Sequence, residues 1–158
     1  MKKQLVLAAV AAALSASFAF ALDAHVSKDT SVTPAAAWAV VGDFCGISTW
    51  HPAVTKCEMS EKDGAKFRTL TLKDGAKLLE KLISFDANGM SYSYSIEEGP
   101  LPVAGYKSTL KVVKSGNGAT YDWSGSFDAK GAPDADAVKT ITGIYQAGVD
   151  SLVQKAGK

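Results

Sequence analysis

The chain has 158 residues, of which 47% are hydrophobic and 21% are charged, and its formal net charge at pH 7 is +1. A chain of this length has room for one domain with a single core. The sequence contains no basic run and no basic face interleaved with aromatic residues, so it gives no support to nucleic-acid binding.

Residues 1–21 have the pattern of a secretory signal peptide. Two lysines follow the first methionine, and residues 5–20 are apolar apart from two serines. Ala21 then supplies a small residue where a signal peptidase cleaves. We expect cleavage after Ala21, which leaves one mature domain, residues 22–158, in the periplasm or outside the cell. An uncleaved anchor is the alternative, but the apolar run is short for a span and no positive stop follows it. We expect no stable membrane insertion of the mature chain.

The mature chain begins with a predicted strand over residues 22–32, where apolar and polar residues alternate loosely. Thr33 and Pro34 then favour a helix start, with the threonine as N-cap and the proline at the first helical position. A helix over residues 35–44 follows. A second short helix over residues 47–50 ends just before a proline.

Cys45 and Cys57 flank this second helix. An exported protein permits a disulfide, and the sequence has no C-x-x-C pattern of a redox pair. A structural disulfide and two buried thiols both stay open, because the spacing of two cysteines does not establish the geometry that a disulfide requires.

The centre of the chain predicts three consecutive antiparallel strands, over residues 67–72, 77–85 and 91–96. Asp74-Gly75 and Asn88-Gly89 separate them, and such dipeptides supply positive φ in two-residue hairpin turns. Large and small residues alternate within these strands, so each strand has two distinct faces.

Glu80 is the unusual residue in these strands. It shares a face with Leu78 and Leu82, but the opposite face is also partly apolar. If Glu80 points inward, its charge needs a partner or its pKa rises. Arg68 on the neighbouring strand is the expected partner.

The remaining segments complete the predicted order. A strand over residues 54–60 precedes the central three, and a strand over residues 106–113 and one that carries Trp123 follow them. The chain ends in a helix with an apolar stripe at three- and four-residue intervals. Gly143 and Gly148 weaken this helix, which favours a close approach of a backbone or ligand at both positions. The predicted order is a strand, two helices, six strands and a long helix.

Several segments in this order resemble a known family. They are Ala37-Trp38 through Phe44, Trp50-His51-Pro52, Arg68 followed by Asp74-Gly75, Glu80-Lys81-Leu82 with Asp86, residues 102–106 and residues 143–148. Together they span nearly all of the mature chain, which is similar to the START-related, pollen-allergen-like SRPBCC superfamily and, more closely, to its polyketide cyclase/dehydrase and lipid-transport branch. The resemblance implies an α+β helix-grip fold. In that fold a seven-stranded curved antiparallel sheet wraps around a long C-terminal helix, and two short helices follow strand one.

The resemblance also implies an apolar cavity between the sheet and the C-terminal helix. It places Glu80 inward and Tyr106 after a gating loop, as in the related abscisic-acid receptors. The connection at residues 73–76 is too short for the proline-containing gate of those receptors, and Thr55 stands where they carry a ligand-anchoring lysine. Capture of a hormone-type carboxylate is therefore not expected.

The candidate ligand-binding residues share a predicted place on the inner face of the sheet or on the apolar stripe of the last helix. They are Arg68, Glu80, Tyr94, Tyr106, Trp123, Ile141 and Tyr145. Tyrosine hydroxyls on an otherwise apolar wall suit the orientation of a ligand, and ordinary core packing is the alternative. Glu80 and Arg68 form either a polar anchor for a ligand or a structural ion pair.

Three functions stay open. The first is an exported protein that binds a small hydrophobic or amphipathic molecule. The second is an enzyme of cyclase, dehydratase or hydrolase type that uses Glu80, His51 and Tyr106 as acid/base groups, although His51 also fits a hydrogen-bonded residue at a helix end. The third is an interaction module with a filled core, which a cavity well below a few hundred Å³ favours.

Cofactors and metals are not expected. The sequence lacks nucleotide and dinucleotide fingerprints. Neither histidine has a ligand partner at helix or hairpin spacing, so we expect no metal site.

Overall fold

The computed structural model describes residues 21–157, so residues 1–20 of the predicted signal peptide lie outside the described part of the chain. The strands are β1 (Leu22–Thr30), β2 (Val54–Lys62), β3 (Ala65–Leu72), β4 (Lys77–Asp86), β5 (Ser91–Glu98), β6 (Val103–Ser115) and β7 (Gly118–Ala129). The helices are α1 (Pro34–Val41), α2 (Ile47–Trp50) and α3 (Asp134–Ala156).

The strands form one curved antiparallel sheet in the order β1-β7-β6-β5-β4-β3-β2. Helix α3 packs against β1 and β7, and it also contacts α1 and α2. The sheet therefore wraps around the long helix, and each of the two short helices contacts both α3 and the sheet. This arrangement confirms the predicted element order and the helix-grip fold.

The helices begin and end for identifiable reasons. Thr33 Oγ1 accepts a hydrogen bond from the amide of Ala36, and Pro34 occupies the first turn of α1, as predicted. In α3, Asp134 and Asp136 lie in the first turn and Lys155 in the last, which complements the helix dipole. No helix within residues 21–157 is both long and apolar enough to cross a membrane.

The hairpin at Asn88-Gly89 differs from its prediction. Strand β4 ends at Asp86 and β5 begins at Ser91, so residues 87–90 connect them, and the positive φ of 50° falls on Met90. The amide of Gly89 donates to Asp86 Oδ1 over 2.8 Å, and the same carboxylate fills the space that a Cβ on Gly89 would need. A Cβ on Gly89 would therefore displace the Asp86 carboxylate, and Gly89 has no left-handed φ that would require glycine. Asp74-Gly75 likewise lies within the four-residue connection 73–76, where Gly75 has φ +85°.

The two glycines of α3 behave differently. A Cβ on Gly148 would lie 2.6 Å from the Trp123 ring and 2.8 Å from the His51 ring, so there is a close approach there, but it is made by side chains and not by the expected backbone or ligand. At Gly143 the same expectation is wrong, because nothing lies within 4 Å of the Cβ position.

A disulfide joins Cys45 to Cys57, with Cα atoms 5.6 Å apart. It ties the segment between α1 and α2 to edge strand β2. The residue that precedes Cys45 is Phe44, which contacts the interior of the sheet, so the disulfide anchors part of the core as well as the edge.

Candidate functional site

A cavity of about 80 Å³ lies between the concave face of the sheet, α2 and α3. Its deeper wall consists of buried residues: Ile47, His51, Val54, Leu70, Leu78, Glu80, Tyr94, Tyr106, Trp123 and Ile141. Its rim consists of half-buried apolar residues: Ala53, Leu72, Ile96, Leu101 and Ile144. The volume is several times what one water needs and well below the roughly 300–1,000 Å³ of typical ligand sites.

An ion pair forms part of the cavity floor. Arg68 and Glu80 lie directly opposite each other on β3 and β4, and Arg68 Nε donates to Glu80 Oε2 over 2.5 Å. Arg68 Nη1 donates to the carbonyl of Phe44, whose ring centroid is 4.0 Å from the guanidinium carbon. We call Arg68, Glu80 and Phe44 the charged cluster. Arg68 is 0% exposed and Glu80 is 4% exposed, so the expectation that Glu80 points inward beside Arg68 agrees with the structure.

Burial and pairing act in opposite directions on this cluster. Burial raises the pKa of the Glu80 carboxyl, and the Arg68 guanidinium partly offsets that rise. Burial also opposes the charge of Arg68, but the attraction of Glu80 outweighs it and the pKa of Arg68 is raised. Arginine therefore stays charged, and the two side chains together carry no net charge when Glu80 is ionised.

The second carboxylate oxygen of Glu80 accepts no hydrogen bond from any of residues 21–157. Glu80 lines the cavity, whereas Arg68 lies behind it and does not reach the cavity wall. A molecule in the cavity would consequently contact the carboxylate of this ion pair and not the guanidinium.

A neutral set of hydrogen bonds occupies the other side of the interior. Ser108 on β6 is 3% exposed, and its hydroxyl donates to the carbonyl of Ser124 over 2.8 Å. Its oxygen accepts from the Tyr145 hydroxyl at 2.9 Å and from Trp123 Nε1 at 3.0 Å. The hydroxyl oxygens of Tyr106 and Tyr145 are 2.5 Å apart, and Trp123 Nε1 also reaches the Tyr94 oxygen at 3.0 Å. We call Ser108, Tyr94, Tyr106, Trp123 and Tyr145 the hydroxyl cluster.

These tyrosines are neutral donors and acceptors rather than bases. Burial raises the pKa of Tyr94 and Tyr106 well above the ordinary tyrosine value, and it raises the pKa of Tyr145 to about 12. All three hydroxyls keep their protons near neutral pH.

His51 lines the cavity, but both of its ring nitrogens already have partners. Nδ1 accepts from the amide of Ala53 at 3.2 Å, and Nε2 lies 3.1 Å from the carbonyl of Ile144 on α3. An amide can only donate and a carbonyl can only accept, so these contacts assign the proton to Nε2. Burial lowers the pKa of His51. The residue therefore links α2 to α3 as a neutral imidazole, and this geometry fits the structural alternative better than a general acid/base.

The structure brings most of the candidate residues to the cavity, but not all of them. Those that line it are Glu80, Tyr94, Tyr106, Trp123 and Ile141. Arg68 lies behind Glu80, and Tyr145 reaches the cavity only through its hydroxyl contact with Tyr106.

Sequence reasoning missed Ser108 as the centre of the hydroxyl cluster, and it missed the rim residues Leu101 and Ile144. A usable signal for Ser108 was present. It is the single small polar residue on a strand face shared with Tyr106, Leu110 and Val112, all of which are buried. No comparable signal marks the rim, since its residues come from separate segments whose side chains meet only in the folded chain.

The sequence and the fold are both similar to those of known proteins. A family model described as "Polyketide cyclase / dehydrase and lipid transport" matches residues 21–157. The solved structure of the protein XoxI from Bacillus cereus is similar at 28% identity, with a TM-score of 0.81, and the match covers 86% of this chain and 96% of that one.

Two further solved structures share the fold. A Thermobifida fusca protein is 23% identical with a TM-score of 0.74, and the match covers 85% of this chain and 93% of that one. The Zhui aromatase/cyclase from Streptomyces sp. R1128 is 13% identical with a TM-score of 0.70, and the match covers 87% of this chain and 94% of that one. The family indicates a ligand-binding or cyclase/dehydrase-type function in a helix-grip fold. By its sequence and its fold, this chain belongs to the polyketide cyclase/dehydrase and lipid-transport family of the SRPBCC superfamily.

Proposed function

We propose that this protein is exported and binds a small hydrophobic or amphipathic molecule in the cavity between the sheet and α3. The observation that carries this proposal is the cavity wall, on which the Glu80 carboxylate and the hydroxyls of Tyr94 and Tyr106 lie among apolar side chains. The second carboxylate oxygen of Glu80 has no donor among residues 21–157 and is not fully buried, so it is open to the cavity. A ligand, or water in its absence, would supply the missing hydrogen bond.

The small cavity volume is the strongest argument for the alternative of a filled core. About 80 Å³ does not hold a lipid or a polyketide. The rim, however, is formed by half-buried side chains from different segments, among them Leu72, Leu101 and Ile144. We propose that rotation of these side chains enlarges the cavity when a ligand binds.

Export rests on the sequence of residues 1–21 and on the disulfide between Cys45 and Cys57, which is typical of oxidising compartments. The test is N-terminal sequencing of the protein recovered from its native host. The proposal expects a mature chain that begins at Leu22, and an intact N-terminus would contradict it.

A second candidate function is an enzyme in which Glu80 acts as an acid/base group. Burial raises the pKa of this carboxyl, and a carboxyl group with a raised pKa on a cavity wall is a candidate acid/base group. His51 and Tyr106 are weaker candidates, because the ring nitrogens of His51 are both engaged and the Tyr106 hydroxyl is hard to ionise. Glu80→Gln should abolish turnover if this candidate is correct.

The binding proposal is tested by thermal unfolding of the mature protein with a panel of lipids, sterols, aromatics and polyketide-like compounds. A ligand at about 100 times its Kd stabilises by about 2.7 kcal/mol, which raises Tm by several degrees. Leu101→Trp fills the rim and should remove the shift. Ile83→Trp is the matched control, because Ile83 is 50% exposed and lies outside the cavity. A panel in which no compound shifts Tm would contradict the proposal.

A further inference from the structure

The hydroxyl cluster has a fixed order of protons, and Ser108 sets it. The Ser108 hydroxyl has one proton, which it gives to the carbonyl of Ser124. Its oxygen has two lone pairs, of which the Tyr145 hydroxyl takes one and Trp123 Nε1, whose single proton is shared with the Tyr94 oxygen, takes the other. Ser108 is therefore saturated, and each group bonded to it has its direction determined.

The proton of Ser108 fixes the donor in its bond with Tyr145, and this in turn fixes the donor in the bond between Tyr145 and Tyr106. Since the Tyr145 proton points to Ser108, the contact of 2.5 Å between the Tyr106 and Tyr145 oxygens needs the proton of Tyr106. The Tyr106 oxygen, on the cavity wall, then has only lone pairs left to offer. It is an acceptor toward the cavity.

Tyr94 differs from Tyr106 because its hydroxyl can donate a hydrogen bond toward the cavity. Its oxygen accepts the Trp123 Nε1 proton at 3.0 Å, a proton that it shares with Ser108, so the Tyr94 hydroxyl proton is not used in that contact. Tyr94 also lines the cavity, so this proton is a donor that a bound molecule can use.

We propose that Ser108 is a positioning residue that sets the hydrogen-bond pattern of the cavity: acceptors at Glu80 and Tyr106, and a donor at Tyr94. The ligand class that fits is a neutral molecule with a hydroxyl or amide N–H donor attached to an apolar ring or chain. This inference rests on the proposed binding function and makes it more specific.

The same pattern disfavours carboxylate ligands. The guanidinium of Arg68 is fully buried behind Glu80, where Nε is bonded to Glu80 and Nη1 to the Phe44 carbonyl. Its Nη2 has no protein partner among residues 21–157, but Arg68 does not line the cavity. A carboxylate in the cavity would face the Glu80 carboxylate without an unpaired cation beside it, and such like-charge contacts are unfavourable. The histidine at the wall, His51, gives its ring proton to Ile144 and offers none to a ligand.

The test compares three small aromatic probes by NMR titration of the mature protein. Phenol donates a hydrogen bond, fluorobenzene has nearly the same shape without a donor, and benzaldehyde only accepts. The inference expects phenol to bind about tenfold more tightly than fluorobenzene, as one hydrogen bond to a charged acceptor implies. Equal affinities for phenol and fluorobenzene would overturn the inference while leaving the binding function in place. If no probe binds, the inference is overturned, and the thermal panel decides separately on the proposed function.

Ser108→Ala tests the positioning role itself. Without the Ser108 oxygen, the Tyr145 proton turns to Tyr106, and the Tyr106 proton is freed toward the cavity. The ratio of the phenol affinity to the fluorobenzene affinity should fall severalfold. The affinity for benzaldehyde should rise relative to the affinities for both other probes. A general loosening of the core would weaken all three probes together and leave the ratio unchanged, which would contradict the assigned role.

Three further variants separate the role of Ser108 from folding defects. Ser108→Thr keeps a hydroxyl and should keep the ratio. Ser93→Ala removes a serine bonded to Thr109 away from the hydroxyl cluster and is the matched control. Tyr106→Phe keeps the ring and removes the acceptor, so it should weaken phenol more than fluorobenzene. If Tyr106→Phe weakens the two probes equally, the proton order is wrong even where Ser108→Ala does not fold.

Discussion

The charged cluster and the hydroxyl cluster are both buried, but they satisfy their polar groups in different ways. The charged cluster depends on one ion pair between β3 and β4, in which each charge has one opposite partner. The hydroxyl cluster spreads its bonds over β5, β6, β7 and α3, all between neutral groups, so the loss of one member leaves no buried charge behind. The difference predicts that the loss of one member is severe in the first cluster and mild in the second.

The largest effect is expected for Arg68→Met. This change leaves the Glu80 carboxylate buried without a cation, and the breaking of a buried pair costs about 3–5 kcal/mol. The free energy of unfolding, measured by denaturant titration near neutral pH, should fall by that amount. The Glu80 pKa rises further in this variant, so the folded state binds a proton more readily than the unfolded one. The loss in the free energy of unfolding should therefore be smaller at acidic pH, because the stability of the Arg68→Met variant falls as the pH rises through the raised Glu80 pKa.

The matched control removes both charges. Arg68→Met with Glu80→Leu eliminates the need for pairing, and such replacements are often neutral or stabilising by about 1–4 kcal/mol. A double variant that is as unstable as Arg68→Met alone would show that packing around Phe44, and not charge, explains the loss.

The disulfide is the second way to disturb the charged cluster. It anchors the segment that holds Phe44, whose carbonyl accepts from Arg68. Replacement of Cys45 and Cys57 by alanine should cost about 3 kcal/mol, mainly through the entropy of the unfolded chain. Chemical denaturation of the double alanine variant measures this loss. The wild-type protein with its disulfide reduced should match it, and an unchanged midpoint in both cases would contradict the expectation.

The charged cluster could be predicted from the sequence, whereas the hydroxyl cluster could not. Alternation in β3 and β4 places Arg68 and Glu80 on facing positions of neighbouring strands, so their pairing is a local consequence of register. The hydroxyl cluster joins β6 to α3 across the whole fold, and no spacing in the chain specifies that Tyr145 meets Ser108. For the same reason the sequence left two roles open for His51, an acid/base group and a hydrogen-bonded residue at a helix end, because the carbonyl of Ile144 that occupies its Nε2 lies far along the chain.

The conformation of one turn and the volume of the cavity also did not follow from the sequence. Asn88-Gly89 matches a hairpin dipeptide, but the Asp86 carboxylate takes the amide of Gly89 and shifts the left-handed residue to Met90. The size of the cavity depends on side-chain packing from every element at once, which an alternating pattern of residues does not encode.

The hydroxyl cluster should tolerate a single loss better. Tyr145→Phe leaves Tyr106 without its acceptor and Ser108 without one donor, and we expect a cost of about 1–2 kcal/mol. Tyr121→Phe is the comparison variant, because the Tyr121 hydroxyl makes one buried bond, to the carbonyl of Ala37. Both are measured by thermal and denaturant unfolding. A Tyr145→Phe loss as large as that of Arg68→Met would refute the contrast between the clusters.

The smallest expected effect is a pH dependence from His51. Burial lowers its pKa below the ordinary value of about 6.5, so below that pH the unfolded chain binds a proton that the folded chain does not. Stability supplied by neutral His51 is present above about pH 6.5 and declines as the pH falls. His51→Asn should flatten this decline between about pH 7 and pH 5, while His25→Asn, on the exposed strand surface, should keep it. Parallel curves for His51→Asn and wild type would contradict the assignment.

The central claim, that the cavity holds a ligand, is tested most directly by native mass spectrometry of the mature protein isolated from its own host, followed by release and analysis of any bound compound. The account predicts one neutral small molecule per chain with a hydrogen-bond donor, absent from Leu101→Trp and retained by Ile83→Trp. A clean mass of the protein alone, together with a ligand panel that never shifts Tm, would contradict the claim and favour the filled core.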